Sequence, residues 1–129
     1  MIVYGTLKAL GTEEEPISFL GDRLESGYDN IAGQWGAYVQ YEDGGLYLLG
    51  GIHFIKGSSD NEIRHSIIKN AIKGIQVDSM VSSARPTLTI SHSRVENMTV
   101  TGLDARSTSV LADNCLFANC GTHCVGLFL

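Results

Sequence analysis

Cys115, Cys120, His123 and Cys124 are the residues of this sequence whose types and spacing come closest to metal or disulfide chemistry. A structural zinc site needs four thiolate or imidazole ligands converging on a tetrahedron. The spacing Cys-x4-Cys-x2-His-Cys does not supply one, because His123 and Cys124 are adjacent and adjacent residues of extended chain point to opposite sides. Three cysteines cannot all pair, so they read as small apolar side chains in or near a core, with a Cys120–Cys124 or Cys115–Cys120 bridge open to an exported chain. Acidic residues gather at Glu13-Glu14-Glu15 and at Asp22, Glu25 and Asp29. Neither group has the Gly-spaced run of hard oxygens that chelates calcium, so they read as a solvated turn and loop, and calcium is supported by no motif. No other cofactor has a signature here. Trp35, Tyr38, Tyr41 and Tyr47 crowd one short stretch. Rings held on a rigid platform can stack on sugars, and the same rings can equally fill the edge of a core.

The elements that would position these residues are short and extended. Fifteen Gly in 129 residues, with no sustained 3.6-residue apolar stripe, leave little room for helix. A net charge of −5 with only nine Lys and Arg, scattered from Lys8 to Arg106, excludes a nucleic-acid surface and disfavours anionic lipid. No apolar run approaches the ~18 residues of a membrane span, so no membrane insertion is expected from this segment. Neither a basic n-region nor an apolar h-region precedes the first strand-like residues, Ile2-Val3-Tyr4.

Self-similarity organises the rest. Ile63-Arg64-His65-Ser66-Ile67-Ile68-Lys69-Asn70, Ile90-Ser91-His92-Ser93-Arg94-Val95-Glu96-Asn97 and Ala112-Asp113-Asn114-Cys115-Leu116-Phe117-Ala118-Asn119 superpose as apolar-x-His/Asn-small-x-apolar-x-Asn. A Gly-apolar pair follows each: Gly74-Ile75, Gly102-Leu103 and Gly126-Leu127. The spacing between repeats varies by a few residues, so the turns change length and the strands do not. Stacking at about 4.8 Å would place Ile63, Ile90 and Ala112 in one internal column. Ile68, Val95 and Phe117 would form a second, and Ile75, Leu103 and Leu127 a third. Asn70, Asn97 and Asn119 would stack at one turn, and His65, His92 and Asn114 at another, as ladders that satisfy bent backbone rather than as ligand sets. That ladder role makes the sequon Asn97-Met98-Thr99 a chance match.

Residues 5–19 read as strand-turn-strand. With Gly21-Asp22-Arg23-Leu24, Gly33-Gln34-Trp35-Gly36 and the repeats, they resemble the right-handed parallel β-helix repeat proteins, the pectate-lyase-like solenoid class, and among these bacterial surface members of unassigned function. The resemblance implies an all-β, right-handed parallel β-helix, and strand-like residues at both ends without a polar cap lead to the expectation that 1–129 is a single segment of a longer protein. Residues 37–50 depart from the pattern by standing between Gly36 and Gly51-Ile52. Two β-prone runs around Asp43-Gly44 make this insertion a hairpin candidate, with an extra strand of the stack as the rival.

Polysaccharide-cleaving members of that class imply paired carboxylates, or calcium with a basic residue, on the outer face of one sheet. Alternation points His53, Gln76, Asp104 and Phe128 outward, a single carboxylate where a glycosidase needs two about 5–10 Å apart. Asp78 and Arg106 would meet only as a solvated pair. The expected function is a non-catalytic scaffold of an exported or cell-surface bacterial protein. Polysaccharide is its candidate partner, at Trp35, Tyr38, Tyr41, Tyr47 and Asp104, and no metal or other cofactor is assigned. A segment of a polysaccharide lyase or glycoside hydrolase, and a structural spacer, are the alternatives. Strand-like residues at both ends, Ile2-Val3-Tyr4 and Val125 to Leu129, predict self-association through uncapped edges.

Overall fold

In a computed structural model the chain forms a right-handed parallel β-helix. The structure describes residues 1–23, 25–42, 45–78 and 87–128, and the side chains of 38–48 lie outside this description. After β1 (Ile2–Val3), the first coil contributes β2 (Lys8–Leu10), β3 (Ile17–Phe19) and β6 (Ile52–Phe54), with β4 (Ala37–Glu42) and β5 (Gly45–Gly50) inserted before β6. The second coil is β7 (Asn61–Arg64), β8 (Ser66–Lys69) and β9 (Lys73–Val77). The third is β10 (Leu88–Ser91), β11 (Arg94–Met98) and β12 (Thr101–Arg106), and the fourth β13 (Val110–Asp113), β14 (Leu116–Cys120) and β15 (His123–Phe128). Every coil adds one strand to each of three parallel sheets, ordered β1-β6-β9-β12-β15, β2-β7-β10-β13 and β3-β8-β11-β14.

Register follows from the apolar columns, because a slip of one residue would turn every core side chain outward. Ala9, Ile63, Ile90 and Ala112 align in one sheet, and Phe19, Ile68, Val95 and Phe117 in another. Both expected columns are therefore present, each extended by a residue of the first coil. Ile63, Ile68, Ile75, Leu88, Ile90 and Val95 are fully buried, and they form one core with Ile52, Phe54 and Val77. The intervals between strands of the first and second sheets differ in length, 78–87 between β9 and β10 but only 107–109 between β12 and β13.

The third column needs a correction. Val125, not Leu127, continues Ile52, Ile75 and Leu103, while Leu127 stacks on Ala105 and Phe128 pairs with Arg106. The glycine of Gly126-Leu127 stands against Asp104, two residues beyond Gly102. Gly74 and Gly102 are the ones required by close approach. A Cβ on Gly74 would lie 2.7 Å from the Gly102 carbonyl oxygen, and one on Gly102 would lie 2.6 Å from that of Cys124. A shift of two preserves the alternation of faces, so the core pattern alone does not reveal it.

The two ladders sit at positions the chain can adopt only with left-handed backbone. Asn70, Asn97 and Asn119 have φ of 66°, 62° and 54°, and His65, His92 and Asn114 have 47°, 49° and 50°. Asn is among the few non-Gly residues that tolerate this region, since its short amide bonds locally. The Asn97 amide donates to Asn70 Oδ1 at 2.8 Å, and the His65 and His92 rings stack with centroids 4.9 Å apart.

Residues 33–36 join the stack below the second coil: Gln34 N–H donates to the Asn70 carbonyl, and Ile72 N–H to that of Trp35. From there the chain leaves as an antiparallel hairpin, with Ala37 opposite Gly50 and Tyr41 opposite Leu46. The insertion is a hairpin and not an extra strand of the parallel stack; its tip residues, Asp43 and Gly44, lie outside the described residues.

Candidate functional site

The outer face of the first sheet carries the expected column His53, Gln76 and Asp104 on successive strands. It is not a solvent-facing row. All three residues are buried, and hairpin residues explain part of the cover: Leu49 is itself buried, and Gly50 N–H donates to Gln76 Oε1 at 2.9 Å.

Burying polar groups costs free energy unless each finds a partner. Here they bond one another across the coils. His53 Nε2 lies 2.5 Å from Asp78 Oδ2, and the Gln76 amide donates to Asp78 Oδ1 at 2.9 Å. Lys73 Nζ approaches Gln76 Oε1 at 3.4 Å and Asp104 Oδ2 at 3.1 Å. Arg106 closes the row by donating to Asp104 through Nε at 3.3 Å and Nη2 at 3.1 Å. A continuous polar strip thus runs from His53 to Arg106, buried at its middle and opening to solvent at the half-exposed Arg106 side chain.

Two sequence expectations change here. Asp104 is not an isolated carboxylate, since Asp78 follows β9 on the same side and both bond the Gln76–Lys73 pair. Arg106 makes its direct bonds to Asp104 and acts on Asp78 only through its charge. The signal that could have exposed this was the run Lys73-x-x-Gln76-x-Asp78 beside Asp104-x-Arg106, which places complementary groups on adjacent strands.

The electrostatics bear on proton chemistry. Partial burial pushes the Asp78 carboxyl up, but hydrogen bonds from His53 and Gln76, with attraction to His53 and Arg106, outweigh it and hold the group below its ordinary value. A general acid of glycoside cleavage requires the opposite, a carboxyl raised toward neutrality. Both Asp104 oxygens are bonded by cations, and its side chain is 3% exposed. The strip is arranged to hold charge in place.

The other nominated residues are separate from it. Trp35 is half-buried against the core and donates its indole N–H to the Lys69 carbonyl at 2.9 Å, so one side of the ring fills the core edge. Tyr38, Tyr41 and Tyr47 lie on the hairpin strands that follow, and their side chains are outside the described residues. Among the cysteines, burial and a hydrogen bond with Cys124 push the Cys120 thiol up to about 12, and all three are free thiols. Of the acidic cluster, Glu25 lies 3.6 Å from Arg23, whose guanidinium stacks 3.7 Å over the Tyr28 ring. Among the described residues no three His, Cys, Asp or Glu converge on a point where a metal ion could sit.

Comparison with protein-family models, with curated proteins and with solved structures finds no match.

Proposed function

We propose that the chain is a non-catalytic β-helical scaffold of an exported or cell-surface protein, holding polysaccharide on the side where the hairpin leaves the stack. The observation that carries the non-catalytic part is the state of the outer-face carboxylates. Asp104 is buried with both oxygens bonded by Lys73 and Arg106, and the Asp78 carboxyl is held below its ordinary value, the opposite of what a general acid requires. A parallel β-helix also suits recognition of a long polymer, since its rungs repeat at a fixed spacing on a rigid core. Trp35, Tyr38, Tyr41 and Tyr47 fall on one short stretch of chain that leads from the stack into the hairpin, and aromatic rings are the side chains that stack on sugars.

A glycan array probed with the chain, followed by a product assay on each hit, tests the reading. Retention of at least one polysaccharide with no new reducing or unsaturated ends is expected. An empty array from folded protein would contradict binding, and product formation would contradict the non-catalytic role.

A further inference from the structure

We infer that a cleft on the outer face of the third sheet is a subsite for one sugar ring, a deepening that rests on the polysaccharide reading above. The cleft lies between strands β3 and β8 and the 20–34 loop, encloses about 340 Å³, and includes Ser18, Arg23, Asp29, Ile67, Lys69 and Asn70 in its walls. That volume is at the small end of ligand sites, about 300–1,000 Å³.

The loop wall is anchored, not draped. Asn70 donates its amide to the Asp29 carbonyl at 2.8 Å, and Asn97 donates to the Asn30 carbonyl at 2.7 Å. The Gln34 amide donates to the Tyr28 and Ile31 carbonyls at 2.7 and 2.8 Å, bracing the loop from within. Two members of the asparagine ladder therefore fix a wall of the cleft as well as their own turns. A ligand meets a preformed cavity, which lowers the ordering cost of binding.

The lining matches the chemistry of a pyranose. Sugars present hydroxyls that both donate and accept, around a ring with an apolar C–H face. Lys69 and Arg23 donate, the Asp29 carboxylate accepts, and the Ser18 hydroxyl does either. Lys69 lines the cleft, and its ammonium, which bonds Asn30 Oδ1 at 2.9 Å, carries three donors. Ile67 and Leu20 supply apolar surface for the ring face. The two cations of the lining are offset by Asp29 and by Glu25, which lies 3.6 Å from Arg23, and this favours a hydroxylated neutral ring over a bare anion. Trp35 ties the cleft to the hairpin side, because its indole N–H bonds the carbonyl of Lys69 itself. A sugar in the cleft and further sugars along the hairpin could belong to one chain.

The test is calorimetric titration with a panel of neutral and carboxylated tetrasaccharides, alongside sodium sulfate, into wild type, Ser18→Trp, Lys69→Gln and the double variant Tyr38→Ala/Tyr41→Ala. Ser18 is exposed on β3, so tryptophan there blocks the cleft without entering the core, and Lys69→Gln removes donors without adding bulk. A neutral tetrasaccharide bound by wild type and weakened tenfold or more by both cleft variants is the expected result. Binding unchanged in both cleft variants but weakened in the tyrosine variant would overturn the cleft and leave the polysaccharide reading standing. Sulfate binding without any saccharide binding, or no binding at all, would overturn both.

Discussion

Lys73 Nζ stands 3.1 Å from Asp104 Oδ2 on the neighbouring coil, with both side chains almost wholly withdrawn from solvent. Two buried charges repay their desolvation largely through their pairing, so replacing Asp104 withdraws the carboxylate that Lys73 and Arg106 both bond. Asp104→Asn is expected to destabilise the chain by about 3–5 kcal/mol in urea denaturation. The double variant Lys73→Met/Asp104→Leu should recover most of that loss, since Arg106 can turn to solvent. A double variant as unstable as the single one would show that the strip does more than balance its own charges.

Acid should loosen the same strip from its other end. The folded Asp78 carboxyl lies below its ordinary value of 3.8, so its ionised form favours the native state. That stabilisation is fully present above the unfolded value and is lost as pH falls through the folded one. The stability gap between wild type and Asp78→Asn should therefore shrink as pH falls below about 4. Denaturation midpoints of both proteins on both sides of that pH check it, and a gap that widened on acidification would reverse the assigned direction.

Packing predicts where the solenoid is vulnerable. Ile68 is fully buried in the column between Phe19 and Val95, so Ile68→Ala should cost about 2–5 kcal/mol. Leu116→Ala, on an exposed side chain of β14, should stay within about 0.5 kcal/mol. Equal losses at both sites, read from chemical denaturation, would contradict the placement of the core.

Much of this architecture was legible in the chain. The repeat ending in Asn70, Asn97 and Asn119 carries strand order and both main columns, because a fixed apolar alternation can bury itself only by stacking. What escaped was set by geometry that no pattern encodes. Gly126-Leu127 mimics Gly102-Leu103, yet the glycines do different work: Gly102 makes room for the Cys124 carbonyl, whereas a Cβ on Gly126 would strike His123. Counting six residues from Asn97 and from Asn119 places Val125 against Leu103, but the same count from Asn70 reaches Gln76 and not the paired Ile75, so counting does not fix the register either. The polar strip was misread as solvent-facing because its burial depends in part on Leu49 and Gly50, the base of an insertion remote in sequence. The cleft is not legible because Asp29 reads as part of an acidic loop, and only long-range bonds, among them those from Asn70, Asn97 and Lys69, bring that loop onto the third sheet.

The asparagine ladder combines backbone conformation with hydrogen bonding, and the two parts can be separated. Asn97 holds φ at 62° while its amide bonds Asn30 and Asn70. Asn97→Ala should lose about 1–2 kcal/mol for left-handed backbone and about 1 kcal/mol or more for the lost bonds. Asn97→Gly should recover much of the backbone part alone. Thermal or urea unfolding of the two variants distinguishes them; equal stability would mean that the backbone at this turn carries no strain.

The central claim, that the outer-face carboxylates hold structure and perform no catalysis, is tested most directly by turnover on a polysaccharide the chain binds. Incubation of wild type, Asp78→Asn and Asp104→Asn with that polymer, followed by quantification of reducing and unsaturated ends, should show no product above the protein-free control in any of the three. Product formed by wild type and reduced a hundredfold or more by Asp78→Asn or Asp104→Asn, each shown to be folded under the assay conditions, would contradict the account and make the strip an active site.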